Sequence, residues 1–94
     1  MKSMRSHRSK QGVESANSDA RRLGSRVRAR RREVGLGQLA LCDLAGVGPA
    51  FLYELERGKP TVRLDKVLAV LRVLGLELHI QNGRGGLTDD SVGA

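Results

Sequence analysis

Aromatic side chains are nearly missing from this chain: its 94 residues include one Phe (Phe51), one Tyr (Tyr53) and no Trp. A core built here is therefore aliphatic, drawn from the Leu, Val and Ala concentrated between Leu23 and Ile80. Cysteine is reduced to Cys42, which excludes an intramolecular disulfide and fits a reducing, cytosolic setting. No run of about 18 apolar residues occurs, so no transmembrane helix is expected, and the first residues lack the apolar stretch of a secretory signal. Catalytic constellations are missing as well. Cys42 has no His or acid at a productive spacing, and a lone Cys and His79 make no metal site. Gly83, Gly85 and Gly86 precede no helix that would turn them into a phosphate loop. Neither an enzyme nor a resident cofactor is expected.

What is abundant is positive charge, and it is unevenly placed. The net charge is +7. Residues 1–32 hold eleven Lys and Arg against Glu14 and Asp19, a balance of +9, whereas residues 33–94 hold six against eight acids, a balance of −2. A polyanion such as nucleic acid is the natural partner of such a segment, and a solvated basic tail is the plainer alternative.

The chain divides into a disordered basic arm (1–18), a folded domain (19–81) and a flexible tail (82–94). Asp19 suits the N-cap of a first helix with Ala20, Leu23, Val27 and Val34 inward, closed by Gly35. Gly37 to Ala45 reads as a second helix with Leu39, Ala40, Leu44 and Ala45 inward. After Gly46 and Val47, the pair Gly48-Pro49 opens a third helix that runs to about Arg57, with Leu52 and Leu55 inward and Gly58 at its end. Val62 to Leu74 makes a fourth, with Leu64, Val67, Leu68, Leu71 and Leu74 as its apolar stripe. Beyond Gly75, Leu76, Leu78 and Ile80 alternate with polar residues, the pattern of a half-buried strand. One strand cannot satisfy its own backbone groups, so its expected neighbour is the same strand of a second chain.

Two short helices flanking a tight turn at Gly46 have the layout of a helix-turn-helix, with residues 36–58 as the unit that meets DNA. Leu36-x-Gln38, Ala45-Gly46-Val47 and Leu52-x-x-Leu55-Glu56-x-Gly58-Lys59 resemble the lambda-repressor-like (XRE) helix-turn-helix family over about residues 21–75. Within it, the segment Glu56 to Thr61, the Leu64–Leu74 helix and the closing Leu76–Ile80 strand look most like HipB-type antitoxins. The fold implied is mainly α: a four-to-five-helix domain with one C-terminal β-strand that pairs across a dimer through Leu76, Leu78 and Ile80.

By that resemblance, Gln38 contacts the DNA backbone and buttresses base contacts, while Gly48, Pro49, Ala50 and Tyr53 face base edges. The family usually carries polar residues there, and Gly, Pro and Ala form no bidentate hydrogen bonds to bases. Readout then leans on Gln38, Tyr53, backbone groups or DNA shape. Arg31 and Glu56 match a family pair that bridges the first and third helices, which accounts for an arginine in an otherwise apolar stripe. Lys59 and Arg63 follow the third helix within reach of phosphates, with solvent as the alternative for each. Arg57 is similar.

The resemblance implies a cytoplasmic, nucleoid-associated bacterial repressor. It would bind double-stranded operator DNA as a homodimer on half-sites about 34–36 Å apart, and its partner would be a HipA-like kinase toxin whose shared operon it represses. A stand-alone regulator is the neighbouring alternative. A protein-interaction module with weak, non-specific DNA binding is the alternative from another class, kept open by Gly48-Pro49-Ala50.

Overall fold

The computed structural model describes the backbone of residues 2–88 and side chains from Gly12 onward. Among these residues the chain forms four helices: α1 (Lys2–Glu33), α2 (Gln38–Ala45), α3 (Pro49–Arg57) and α4 (Leu64–Leu74). α1 packs mainly on α3, and α2 on both α3 and α4.

Each helix ends for a stated chemical reason. Gly35, Gly46, Gly58 and Gly75 all adopt positive φ, between +70° and +92°, a conformation that costs an L residue with a Cβ. After α1, α3 and α4 the same pair of backbone bonds closes the turn. At α3, for example, Gly58 N–H donates to Leu55 C=O and Lys59 N–H to Glu54 C=O, both at 3.0 Å. These bonds satisfy carbonyls that a helix end would otherwise leave open. α3 starts at Pro49 after an extended Gly48, so its boundaries are those the Gly-Pro and Gly signals predict.

The core comprises Val27 from α1, Leu41 and Cys42 from α2, Leu52 and Leu55 from α3, and Val67, Val70, Leu71 and Leu74 from α4. It is aliphatic apart from the thiol. Leu23, Leu36, Val47, Phe51 and Leu76 pack around it. Gly24 is buried because α1 approaches α3 there: a Cβ at this position would run into the Leu55 carbonyl.

Several sequence expectations are corrected. α1 does not begin at Asp19. The backbone is helical from Lys2, where the sequence suggested an unstructured arm, and the Asp19 carboxylate accepts hydrogen bonds from Arg22 and from the Leu87 N–H instead of capping. No Pro interrupts residues 2–19, and the side chains from Gly12 to Ala16 are exposed, so no packing sets where the helix starts. In α2 the buried pair is Leu41 and Cys42, while Leu39, Ala40 and Leu44 face outward. In α4, Val70 is buried with Val67, Leu71 and Leu74, and Leu64 and Leu68 are exposed; the helix starts at Leu64 rather than Val62. Val34 is also exposed.

At the C-terminus the single chain lacks the expected strand. No strand forms among the described residues. Leu76 packs on the core and its N–H bonds to the Leu71 carbonyl at 2.9 Å. Leu78 is 45% and Ile80 100% exposed. A lone chain supplies no second strand for residues 76–80, so no ladder can form. Of the expected flexible tail, Leu87 is tied to α1 by two hydrogen bonds, and residues 89–94 lie outside the described residues.

Candidate nucleic-acid interface

α2 and α3 meet at the Gly46-Val47-Gly48 turn, where Gly46 N–H and Val47 N–H both donate to the Cys42 carbonyl, at 2.8 and 3.1 Å. Both helices begin at glycines, Gly37 and Gly48, that provide no side-chain cap. The first-turn N–H groups of α2 therefore have no side-chain cap, and such a terminus favours a phosphate oxygen.

One buried polar network fixes the orientation of this pair on α1. Arg31 Nε donates to Glu56 Oε2 at 2.6 Å and its Nη2 to Glu56 Oε1 at 3.1 Å. Its Nη1 donates to the Leu36 carbonyl at 2.9 Å, at the exit of α1. The two side chains are only 10% and 4% exposed. Gln38 Nε2 completes the set by donating to Glu56 Oε1 at 3.1 Å. Among the described residues no buried side-chain N or O lacks a partner. Burial alone pushes the Glu56 carboxyl up, but the hydrogen bonds from Arg31 and then Gln38, with the Arg31 and Arg28 charges, hold it below the usual glutamate value. The hydrogen bond to Glu56 raises Arg31 against the opposing effect of burial. Both groups stay charged at neutral pH, and the planar fork of Arg on a carboxylate fixes angle as well as distance.

The outer surface of the pair carries Gly48, Pro49, Ala50 and Tyr53. Gly48, Pro49 and Ala50 lie exposed at the start of α3. Tyr53, one turn further along, is 53% exposed. The Arg57 guanidinium lies 5.2 Å from the centre of the Tyr53 ring, and its Nη1 donates to the Tyr53 hydroxyl at 3.2 Å. An open depression is lined by Arg28, Gln38, Tyr53, Glu56 and Arg57. Since Arg31 compensates Glu56, the two further arginines leave this depression electropositive. Among the described residues no acid lies within salt-bridge distance of Arg28 or Arg57.

Lys59 and Arg63 are not brought into this group. Lys59 Nζ lies 3.3 Å from Glu54 Oε1. Arg63 Nη2 lies 2.6 Å from Asp65 Oδ2, in a fully exposed pair whose hydrogen bond holds the aspartate low and the arginine high. Each cation is partly neutralised by its own neighbour. Arg28 lies on α1, a helix rich in arginine. Nothing local marks it, because its place beside α2 and α3 follows from the Arg31–Glu56 contact three residues on. Arg57 carries a signal, since Tyr53 and Arg57 are four apart on one helical face. Cys42 lies behind this surface. Burial first, then Asp43 and Glu56, push its thiol up, the opposite of an activated cysteine.

The architecture is that of a helix-turn-helix, and residues 22–79 match the family described as "Helix-turn-helix domain". The chain belongs to that family. A relative from Sinorhizobium fredii (strain NBRC 101917 / NGR234), named as the uncharacterized HTH-type transcriptional regulator y4mF, is 47% identical over 58 residues, which cover 62% of this chain and 76% of the relative.

Proposed function

We propose that the protein is a DNA-binding transcriptional regulator that lays α3 into the major groove and sets the N-terminus of α2 against the phosphate backbone. The observation that carries this is the Gln38–Glu56–Arg31 network, which locks α2, α3 and α1 into one rigid unit behind an electropositive face. A recognition helix needs that rigidity, because base readout tolerates little error in position. The name of the S. fredii relative supports the same reading.

The start of α3 supplies few donors. Pro49 has no N–H, and Gly48 and Ala50 have no polar side chain. Base reading then falls to Tyr53, while Gln38, Arg28 and Arg57 meet phosphates around it, and DNA shape accounts for the remaining selectivity. Lys59 and Arg63 add phosphate contacts only after exchanging their acidic partners. The finer assignment is a homodimeric, cytoplasmic, nucleoid-associated repressor of the HipB antitoxin type with a HipA-like kinase toxin as partner. Leu78 and Ile80, apolar yet left in water, support pairing of residues 76–80 between two copies.

The test is fluorescence anisotropy on DNA from upstream of the protein's own gene, at physiological salt and with excess random DNA. The expected result is saturable binding that survives the competitor and is lost in Gln38→Ala and Tyr53→Ala. Binding abolished by the competitor would favour the second reading, a protein-interaction module. The donor-poor Gly48-Pro49-Ala50 segment is the observation that keeps that reading in contention.

A further inference from the structure

The C-terminal segment folds back onto α1 across more than sixty residues of sequence and grips it at one point from both sides. Leu87 N–H donates to Asp19 Oδ2 at 3.0 Å, and the Leu87 carbonyl accepts from Arg22 Nη1 at 2.7 Å. Asp19 and Arg22 are themselves joined at 3.2 Å, one turn apart. The approach depends on glycine. Gly85 and Gly86 adopt φ of +94° and +86°, and a Cβ on Gly86 would sit 2.7 Å from the Asp19 carboxylate. Leu87 is half-buried by the contact. Backbone groups on one side meet a charged pair on the other, so both ends are charge-assisted.

The grip lies beside the exit of α3. Gly58, the residue that ends α3, packs so closely on α1 that a Cβ there would stand 2.7 Å from Arg21 Cα. Arg22 is the next residue. It is half-exposed, on the most basic helix of the chain, next to the end of the helix assigned to the groove.

We infer that residues 82–88 form an autoinhibitory strap: the Leu87 carbonyl occupies the Arg22 guanidinium that a DNA phosphate would otherwise engage, so strap closure and full DNA contact compete. The inference rests on the DNA-binding reading above and assigns a regulation to it. Opening the strap takes the Leu87 carbonyl off Arg22 and leaves the exposed Asp19 pair, which a phosphate can displace; affinity for any duplex rises and sequence preference is unchanged.

The experiment uses the full chain and a random-sequence duplex, read by anisotropy and by amide exchange at Leu87. Gly86→Ala opens the strap, and Gly83→Ala, where a Cβ meets nothing within 4 Å, is the control. The expected result is a Leu87 amide that is protected in the free protein and loses protection as duplex saturates it. Gly86→Ala should tighten binding roughly three- to tenfold, the worth of one charge-assisted hydrogen bond near a surface. That gain should vanish in an Arg22→Gln background. A Leu87 amide that exchanges freely without DNA, one that stays protected at saturation, or a Gly86→Ala gain that is absent or survives Arg22→Gln, would each overturn the strap. If the wild type binds no duplex at any salt, the DNA-binding reading falls and the competition with it. Protection of Leu87 in the free protein would then separate that failure from an open strap.

Discussion

At the residue scale, Glu56 is the point on which the candidate interface turns. It accepts hydrogen bonds from Arg31 and from Gln38, and so binds the stability of the fold to the position of a side chain at the candidate interface. Glu56→Ala leaves the Arg31 guanidinium buried and unpaired, which should cost about 3–5 kcal/mol, a large part of what a domain of this size has. Replacing both partners with apolar residues, Arg31→Met with Glu56→Leu, removes the stranded charge as well. Urea denaturation should therefore find the double variant more stable than Glu56→Ala alone; a double variant at least as unstable as the single would show that the pair is not the source of the cost. The same network fixes a pH dependence. The folded carboxyl of Glu56 lies below its ordinary value of 4.5, so its contribution is complete above that value and is lost as pH falls through the lower folded value. The unfolding midpoint should drop through this acid range in the wild type, and the Glu56 share of that drop should disappear in Glu56→Gln.

At the scale of elements, helix ends were legible in the sequence and helix faces only partly so. Gly48-Pro49 and Gly58 bracket α3 without ambiguity, because one residue pair pre-sets a helix start and the other permits the left-handed exit. α2 gave no such guidance about its face: Leu39, Ala40, Leu41, Cys42, Leu44 and Ala45 surround the helix with apolar groups, and the buried pair Leu41/Cys42 is chosen by where α3 and α4 stand. α4 misleads by one position for a similar reason, since Val70 packs inward while Leu64 and Leu68 flank the contact. Of the candidate site, Arg31, Glu56 and Gln38 were legible through the family pattern. Arg28 and the Asp19–Leu87 contact depend on long-range packing that no local spacing encodes. The glycines give a graded test of element packing. Gly46→Ala meets nothing within 4 Å and bears only the left-handed backbone cost, about 1–2 kcal/mol. Gly58→Ala adds a collision with Arg21, and Gly24→Ala drives α1 away from the Leu55 carbonyl. Thermal unfolding should rank Gly46→Ala as the mildest of the three. If Gly46→Ala proved the most severe, the close approach of α1 to α3 would be wrong.

For the whole molecule, the decisive quantity is the number of chains that meet DNA. A single helix-turn-helix reads one half-site, and a small aliphatic core with an exposed Leu78 and Ile80 gains by covering them. Pairing of residues 76–80 between two copies would satisfy the backbone groups that a lone chain leaves to water and would set two α3 helices on one duplex. Linking two half-site contacts raises affinity by about a hundredfold or more without any new contact to DNA. Leu78→Asp with Ile80→Asp places charge where the two chains would meet and touches neither the core nor the α2–α3 face. Sedimentation equilibrium should therefore give a dimer for the wild type at micromolar concentration and a folded monomer for the variant, with helical content preserved by circular dichroism. Operator affinity should fall by a similar hundredfold, while binding to a single half-site stays unchanged. A wild type that sediments as a monomer would remove the paired strand, leaving residues 76–80 as a free apolar segment and one α3 helix to bind DNA alone.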